Sequence, residues 1–199
     1  MKTLRFNALK MLNEQRQQRI YRSMHKSAST PYESVGWISK ERQNLRFEKL
    51  IVGIADKDSV LDFGCGLGAM FGYLRELNIE CEYTGIDIVA EFVKKSKKTH
   101  VCGNFYTASI FDVTDCFDYV LSSGVYAFYK KDIFFESVQR CFLLSNKEYR
   151  FNILIDACGD GYLKIDKREL EEFVLKISPN ASFEYGYLEN DITVFMPKL

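Results

Sequence analysis

The stretch Val60-Leu61-Asp62-Phe63-Gly64-Cys65-Gly66-Leu67-Gly68 constrains this chain more than any other, because an apolar run ends there in an acid and three alternate glycines. It reads as a buried strand entering a tight loop. Glycines lose backbone entropy on ordering and pack no side chain, so their density here disfavours strand and helix alike. A loop that lets a ligand touch the backbone needs that missing Cβ. From Ala69 to Leu77 apolar residues return at helical spacing, so the loop opens a helix whose free N–H groups face the ligand. Strand, glycine turn and helix N-terminus together make a nucleotide-type site.

Two ligand classes share that geometry. Gly64-x-Gly66-x-x-Ala69 fits the dinucleotide fingerprint, which would make the chain an NAD-binding oxidoreductase. Asp62 argues against this, since a carboxylate two residues before the first glycine would face an anionic pyrophosphate at close range. A cationic ligand would welcome it. Asp62, Gly64, Gly66 and Gly68 resemble the acid-x-Gly-x-Gly-x-Gly motif of the class I S-adenosylmethionine (SAM)-dependent methyltransferases. The resemblance implies SAM as cofactor, whose sulfonium and ammonium suit the acid. The plain alternative is a glycine-rich turn beside a strand.

With 199 residues and 47% hydrophobic content the chain can bury a full core, and one domain is the default. The formal charge is zero, which gives the whole molecule no electrostatic attraction to nucleic acid or membrane. Residues 1 to 30 are different, with seven Lys or Arg and only Glu14 as an acid. An anionic partner such as nucleic acid would meet that end first. Cysteines 65, 81, 102, 116, 141 and 158 form no Cys-x-x-Cys pair and sit mostly in apolar runs, which fits a reducing cytoplasm. With only His25 and His100 besides, a structural zinc site lacks its usual spacing, and no metal is expected. No apolar run is long enough to span a membrane, and the basic start lacks a hydrophobic signal core.

Residues 2 to 26 read as a helix with an interrupted apolar face through Leu4, Ala8, Met11, Leu12, Ile20, Tyr21 and Met24. The polar stretch Asn13 to Arg19 weakens that face. Ser27 to Pro31 breaks the helix, and Ser39 offers an N-cap for a second one over Lys40 to Ile54. In class I methyltransferases a segment in this position commonly covers the SAM pocket. The resemblance therefore implies that residues 1–56 are a helical segment over the cofactor site and residues 57–199 the SAM-binding domain. Tyr32, Trp37 and Arg46 become candidates for closing the pocket, while Trp37 would equally fill a gap between helix and sheet.

From Val60 onward strand and helix alternate with short links. Cys81 to Asp87 reads as a second strand ending in an acid, 19 residues past Gly68, where a carboxylate can accept the ribose hydroxyls of an adenosine. Ile88 and Val89 would lie against the adenine. Glu91 to Lys98 is a short helix whose lysines suit its C-terminus. Asn104 to Ala108 is the third strand. In the family an Asp after it often accepts from the adenine amino group, and that position falls on Ser109, beside Ile110. Phe117 to Gly124 is the fourth strand, which brings the Ser122 backbone to the amino-acid end of SAM and leaves Tyr126 and Tyr129 to line an acceptor pocket or the core. The Asn/Asp-Pro-Pro-Tyr/Phe motif of amino-directed nucleic-acid methyltransferases is absent.

Asp132 to Leu144 is an amphipathic helix and Phe151 to Ile155 the fifth strand. Asp156 to Gly161 imitates a calcium loop but carries Cys158 and Lys167 where oxygen ligands are wanted, and is rejected. After a last helix over Arg168 to Ile177, the runs 181–187 and 191–195 are close enough to demand an antiparallel hairpin. The resemblance thus implies a three-layer α/β, Rossmann-like methyltransferase fold: a seven-stranded, mostly parallel sheet of order 3-2-1-4-5-7-6 with an antiparallel C-terminal strand. It implies methyl transfer from SAM to an unidentified acceptor. A small molecule is favoured over nucleic acid, because nothing resembles an added recognition domain. A SAM-binding protein without catalysis is the other alternative, since no residue stands out as a required base.

Overall fold

The computed structural model describes residues 2–155 and 159–199 and arranges the βα succession as one seven-stranded sheet. Its strands are β1 (Ser59–Phe63), β2 (Glu82–Asp87), β3 (Asn104–Thr107), β4 (Phe117–Ser123), β5 (Ser145–Leu154), β6 (Ser182–Tyr185) and β7 (Asp191–Pro197). Their order is 3-2-1-4-5-7-6, parallel from β3 through β5, with β7 antiparallel to both β5 and β6. The helices are α1 (Lys2–Ser27), α2 (Pro31–Ser34), α3 (Lys40–Ile51), α4 (Ala69–Glu76), α5 (Ala90–Thr99), α6 (Lys131–Leu144) and α7 (Lys167–Ile177). Asp156, Ala157 and Cys158, half of the rejected calcium-like stretch, lie outside the described residues. No helix among the described residues is long and apolar enough to cross a membrane.

Side chains alternate along each strand, so neighbouring apolar residues feed opposite faces of the sheet. Val60 and Leu121 pack against Phe47 and Leu50 of α3 and Met70 and Leu74 of α4. Leu61, Val120 and Phe151 pack against Phe134 and Val138 of α6 and Leu170 and Val174 of α7. Helices on both faces of the sheet make three layers. Parallel pairing sets Asp62 opposite both Gly85 on β2 and Leu121 on β4, so β1, β2 and β4 end together along one edge. At that edge the chain leaves β1 toward β2 and leaves β4 toward β5, in opposite directions, which opens a crevice there.

Three elements differ from the sequence expectation, each for a local reason. β5 starts at Ser145, earlier than the apolar run Phe151–Ile155, and its polar first half is held by Arg150. That guanidinium is buried, pairs with Glu148, and donates to the carbonyls of Leu50 (2.8 Å) and Val52 (2.5 Å), which α3 leaves unbonded at its end. α3 itself stops at Ile51, three residues short of Ile54. Pro31 begins a new turn, α2: Thr30 Oγ1 accepts from the Glu33 N–H and Glu33 Oε2 accepts from the Thr30 N–H, a reciprocal cap.

α1 is a single helix of 26 residues whose buried face is polar. Asn13 and Gln17 are 2% and 1% exposed, whereas Leu4 and Leu12 are 75% and 59% exposed. The reason lies in what α1 covers. It lies over loops at the strand ends whose backbone groups need partners. Gln17 Nε2 donates to the Phe128 carbonyl (2.5 Å), Gln18 Nε2 to the Ile88 carbonyl (2.9 Å), and Asn13 Oδ1 accepts from the Lys130 N–H (2.9 Å).

Candidate active site

The glycine loop turns sharply as β1 ends. The N–H groups of Gly64 and Cys65 both donate to the Ile86 carbonyl of β2, at 2.8 and 3.0 Å. Gly64 has φ +80°, and a Cβ there would stand 2.5 Å from Val125 Cγ2 in the turn after β4. Gly66 has φ +54° and faces Val35. Any side chain at Gly64 would therefore be strained in backbone and blocked in space.

Two carboxyl groups flank this loop. Asp62 is buried on the α3 and α4 side of the sheet, where the Tyr83 hydroxyl donates to Oδ2 at 2.5 Å. Asp87, at the end of β2, accepts from the N–H of Gly66 (3.0 Å) and of Val89 (2.8 Å), tying the glycine loop to the following helix. Burial pushes the Asp62 carboxyl up to about 7, with the nearby Asp87 charge adding to the effect. Burial pushes Asp87 up to about 6 against the opposing pull of its backbone donors. The Cys65 thiol, between them, is also held well above its ordinary value by burial, so it is a packing group and not a nucleophile.

Around these groups lies a cavity. Asp62, Gly64, Gly66, Asp87 and Ile88 line it, as do Trp37 and Tyr129 from the sets expected to close the pocket or line the acceptor. Asp62 and Asp87 are its only charged lining residues; no Lys, Arg or His is present among the described ones. A second cavity adjoins it beyond β4 and β5, and Tyr21, Val35, Trp37 and Gly124 form walls of both. The Trp37 indole packs so closely on Gly124 that a Cβ there would lie 2.8 Å from the ring. The Arg46 guanidinium stacks over Trp37 at 4.5 Å and pairs with Asp191 at the start of β7.

The family model described as a methyltransferase domain matches residues 54–150, the segment that carries β1 to β4 and the glycine loop. Among solved structures, magnesium protoporphyrin IX methyltransferase (ChlM) from Synechocystis PCC 6803 with bound S-adenosylhomocysteine (SAH) superposes with a TM-score of 0.68. That likeness covers 90% of this chain and 93% of that one at 11% sequence identity. This is the fold of the class I methyltransferases. The DhpI–SAH complex is equally similar, with a TM-score of 0.68, 18% identity, and coverage of 92% of this chain and 95% of that one. In sequence, a Mycobacterium tuberculosis protein named "Putative methyltransferase Rv1506c" is 34% identical over 79 residues, 38% of this chain. The match spans 46%, or about half, of that relative's length.

Several residues singled out in the sequence stand away from the first cavity. Gly68 caps α4 in a left-handed conformation and packs against His100 and Phe105. Ser109 caps a 3-10 turn and donates to Glu14 of α1 at 2.6 Å, while Ile110 is core. Ser122 points into the core beside the Tyr149 hydroxyl, and strand alternation gives its place on the cavity to Ser123. Tyr126 lines the second cavity, but its hydroxyl bonds to Tyr149 at 2.5 Å within the core. Arg46 likewise belongs to the second cavity, and Tyr32 lines neither. Sequence reasoning missed Gln17, Val35 and Val125. Only the last had a visible signal, an apolar residue directly after the Gly124 turn.

Proposed function

We propose that this chain transfers a methyl group from SAM to a small-molecule acceptor. The observation that carries the reading is the charge of the first cavity: two carboxyl groups, Asp62 buried and Asp87 half-buried, and no basic side chain among its described residues. A pyrophosphate would meet repulsion there, whereas a ligand with a sulfonium and an ammonium would relieve the cost of burying the two acids. This favours SAM over NAD. Asp87 keeps lone pairs free for the ribose hydroxyls, Asp62 faces the cationic end, and the Gly64 and Gly66 backbones allow close approach.

SAM, when bound, supplies an activated methyl group open to in-line attack by an acceptor lone pair. The chain's own part is then to position and to exclude water. Val35, Trp37 and Tyr21, all from residues 1–56, wall off the cavity, so that segment covers the cofactor site of the domain formed by residues 57–199. The adjoining second cavity is where the acceptor binds, since it shares walls with the cofactor cavity. The Synechocystis relative in fold, named for a porphyrin acceptor, is in keeping with a small-molecule acceptor.

The test is thermal unfolding of the purified chain alone, with SAH and with NADH. A ligand at about 100 times its dissociation constant stabilises the native state by about 2.7 kcal/mol. Stabilisation by SAH alone is expected. Stabilisation by NADH alone would overturn the reading of Asp62.

A further inference from the structure

The second cavity is lined by four charged residues, Arg42, Arg46, Glu189 and Asp191, of which only Arg46 and Asp191 pair with each other. Arg42 and Arg46 lie one turn apart on α3, and both line it. Arg46 is largely buried, and its pKa is drawn down to about 10, chiefly by burial and in part by the Arg42 charge. Two guanidinium groups on one partly buried helix face repel each other, so each calls for an anion. The fold supplies one, Asp191, which is itself buried and paired with Arg46. Tyr187 donates to the other Asp191 oxygen at 2.6 Å and so holds that carboxylate in place.

Arg42 has no ion-pair partner among the described residues. The remaining acid on the cavity, Glu189, is exposed in the hairpin turn between β6 and β7 and makes no ion pair among the described residues either. Apart from Asn152, the rest of the wall is aromatic, aliphatic or glycine. Trp37 lines it, as do Phe128 and Tyr162, whose ring centres are 4.8 Å apart. A flat apolar body fits such walls, and a carboxylate is the planar anion that a guanidinium holds best.

We infer that the methyl acceptor is a small aromatic carboxylic acid, held by its carboxylate on Arg42 with its ring between Trp37 and the Phe128–Tyr162 pair. The inference rests on the reading of the second cavity as the acceptor site. Arg42 is a binding residue in this scheme, and Arg46 with Asp191 keeps the Trp37 wall in place. The reacting atom is that of a ring hydroxyl or amine at the far end from the carboxylate, beside Trp37 and Gly124, which line both cavities. Its lone pair bonds the methyl carbon as the sulfur–carbon bond of SAM breaks, SAH leaves, and the proton of the attacking group passes to solvent.

Calorimetric titration of the full chain, with and without saturating SAH, tests this using benzoate, phenylacetate and indole-3-carboxylate, each beside its primary amide. At least one acid should bind about tenfold or more tightly than its amide, the worth of one charged hydrogen bond. Arg42→Gln should remove that preference and leave SAH affinity within about twofold, since Arg42 does not line the cofactor cavity. Arg42→Lys should keep part of the preference. Equal binding of acid and amide throughout, or a preference that survives Arg42→Gln, would overturn the inference. Failure of SAH to bind would instead overturn the cofactor reading, and the titration without SAH would still judge Arg42.

Discussion

Replacing Asp62 with Asn should make the ligand-free protein more stable and its cofactor binding weaker. Asp62 titrates at 3.8 in an unfolded chain and at about 7 in the fold, so at pH 8 the fold buries a charge that it would prefer to protonate. At about 1.4 kcal/mol for each pH unit between those values, the charge costs the native state about 4 kcal/mol. Because the folded value is the higher one, the native state binds the proton more tightly. The favourable contribution is therefore present at low pH and lost as pH rises from about 4 to about 7. Asn keeps an oxygen for the Tyr83 hydroxyl and carries no charge. The gain should be about 4 kcal/mol at pH 8, or about 10 °C in melting temperature for a chain of this size, shrinking to under about 2 kcal/mol at pH 5. SAH affinity should fall about tenfold as the ammonium loses its counter-charge. Circular-dichroism melts at the two pH values and calorimetric titration with SAH measure these effects. A variant that melts no higher than the parent at pH 8, or that gains equally at pH 5, would refute the argument from burial.

The remaining expectations follow from the same geometry. SAM affinity should decline from pH 8 to pH 5.5 as Asp62 and then Asp87 take up protons, and binding near pH 7 should release protons, seen as a dependence of the titration heat on buffer ionisation enthalpy. Gly64→Ala should abolish SAH binding and destabilise the fold by at least about 1–2 kcal/mol from the left-handed backbone alone. Adding Val125→Ala should recover only the steric part; full recovery would mean that the backbone conformation of Gly64 is unimportant. Tyr126→Phe should cost about 1 kcal/mol in denaturant unfolding by removing the bond to the Tyr149 hydroxyl, with SAH affinity unchanged. A large loss of SAH affinity would place that hydroxyl in the site after all.

Residues 60 to 68 and Asp87 were legible in the sequence because their constraint is local: a strand must end, a turn must pass without side chains, and an acid must follow at the next strand end. The sheet order was legible through the family resemblance, and the terminal hairpin from its short connection. What was hidden is long-range. Ser109 sits where a cofactor contact was expected, yet its hydroxyl is taken by Glu14, a residue 95 positions earlier. Arg150 looks like the polar edge of a strand until the carbonyls of Leu50 and Val52 are beside it. α1 shows the physical reason most clearly. Apolar periodicity identifies the face of a helix that packs on side chains, but this helix packs on loop backbone, where amides recognise carbonyl and N–H groups better than Leu or Met can. Asn13, Gln17 and Gln18 therefore look like a weakness in the helix pattern while they form its buried contact.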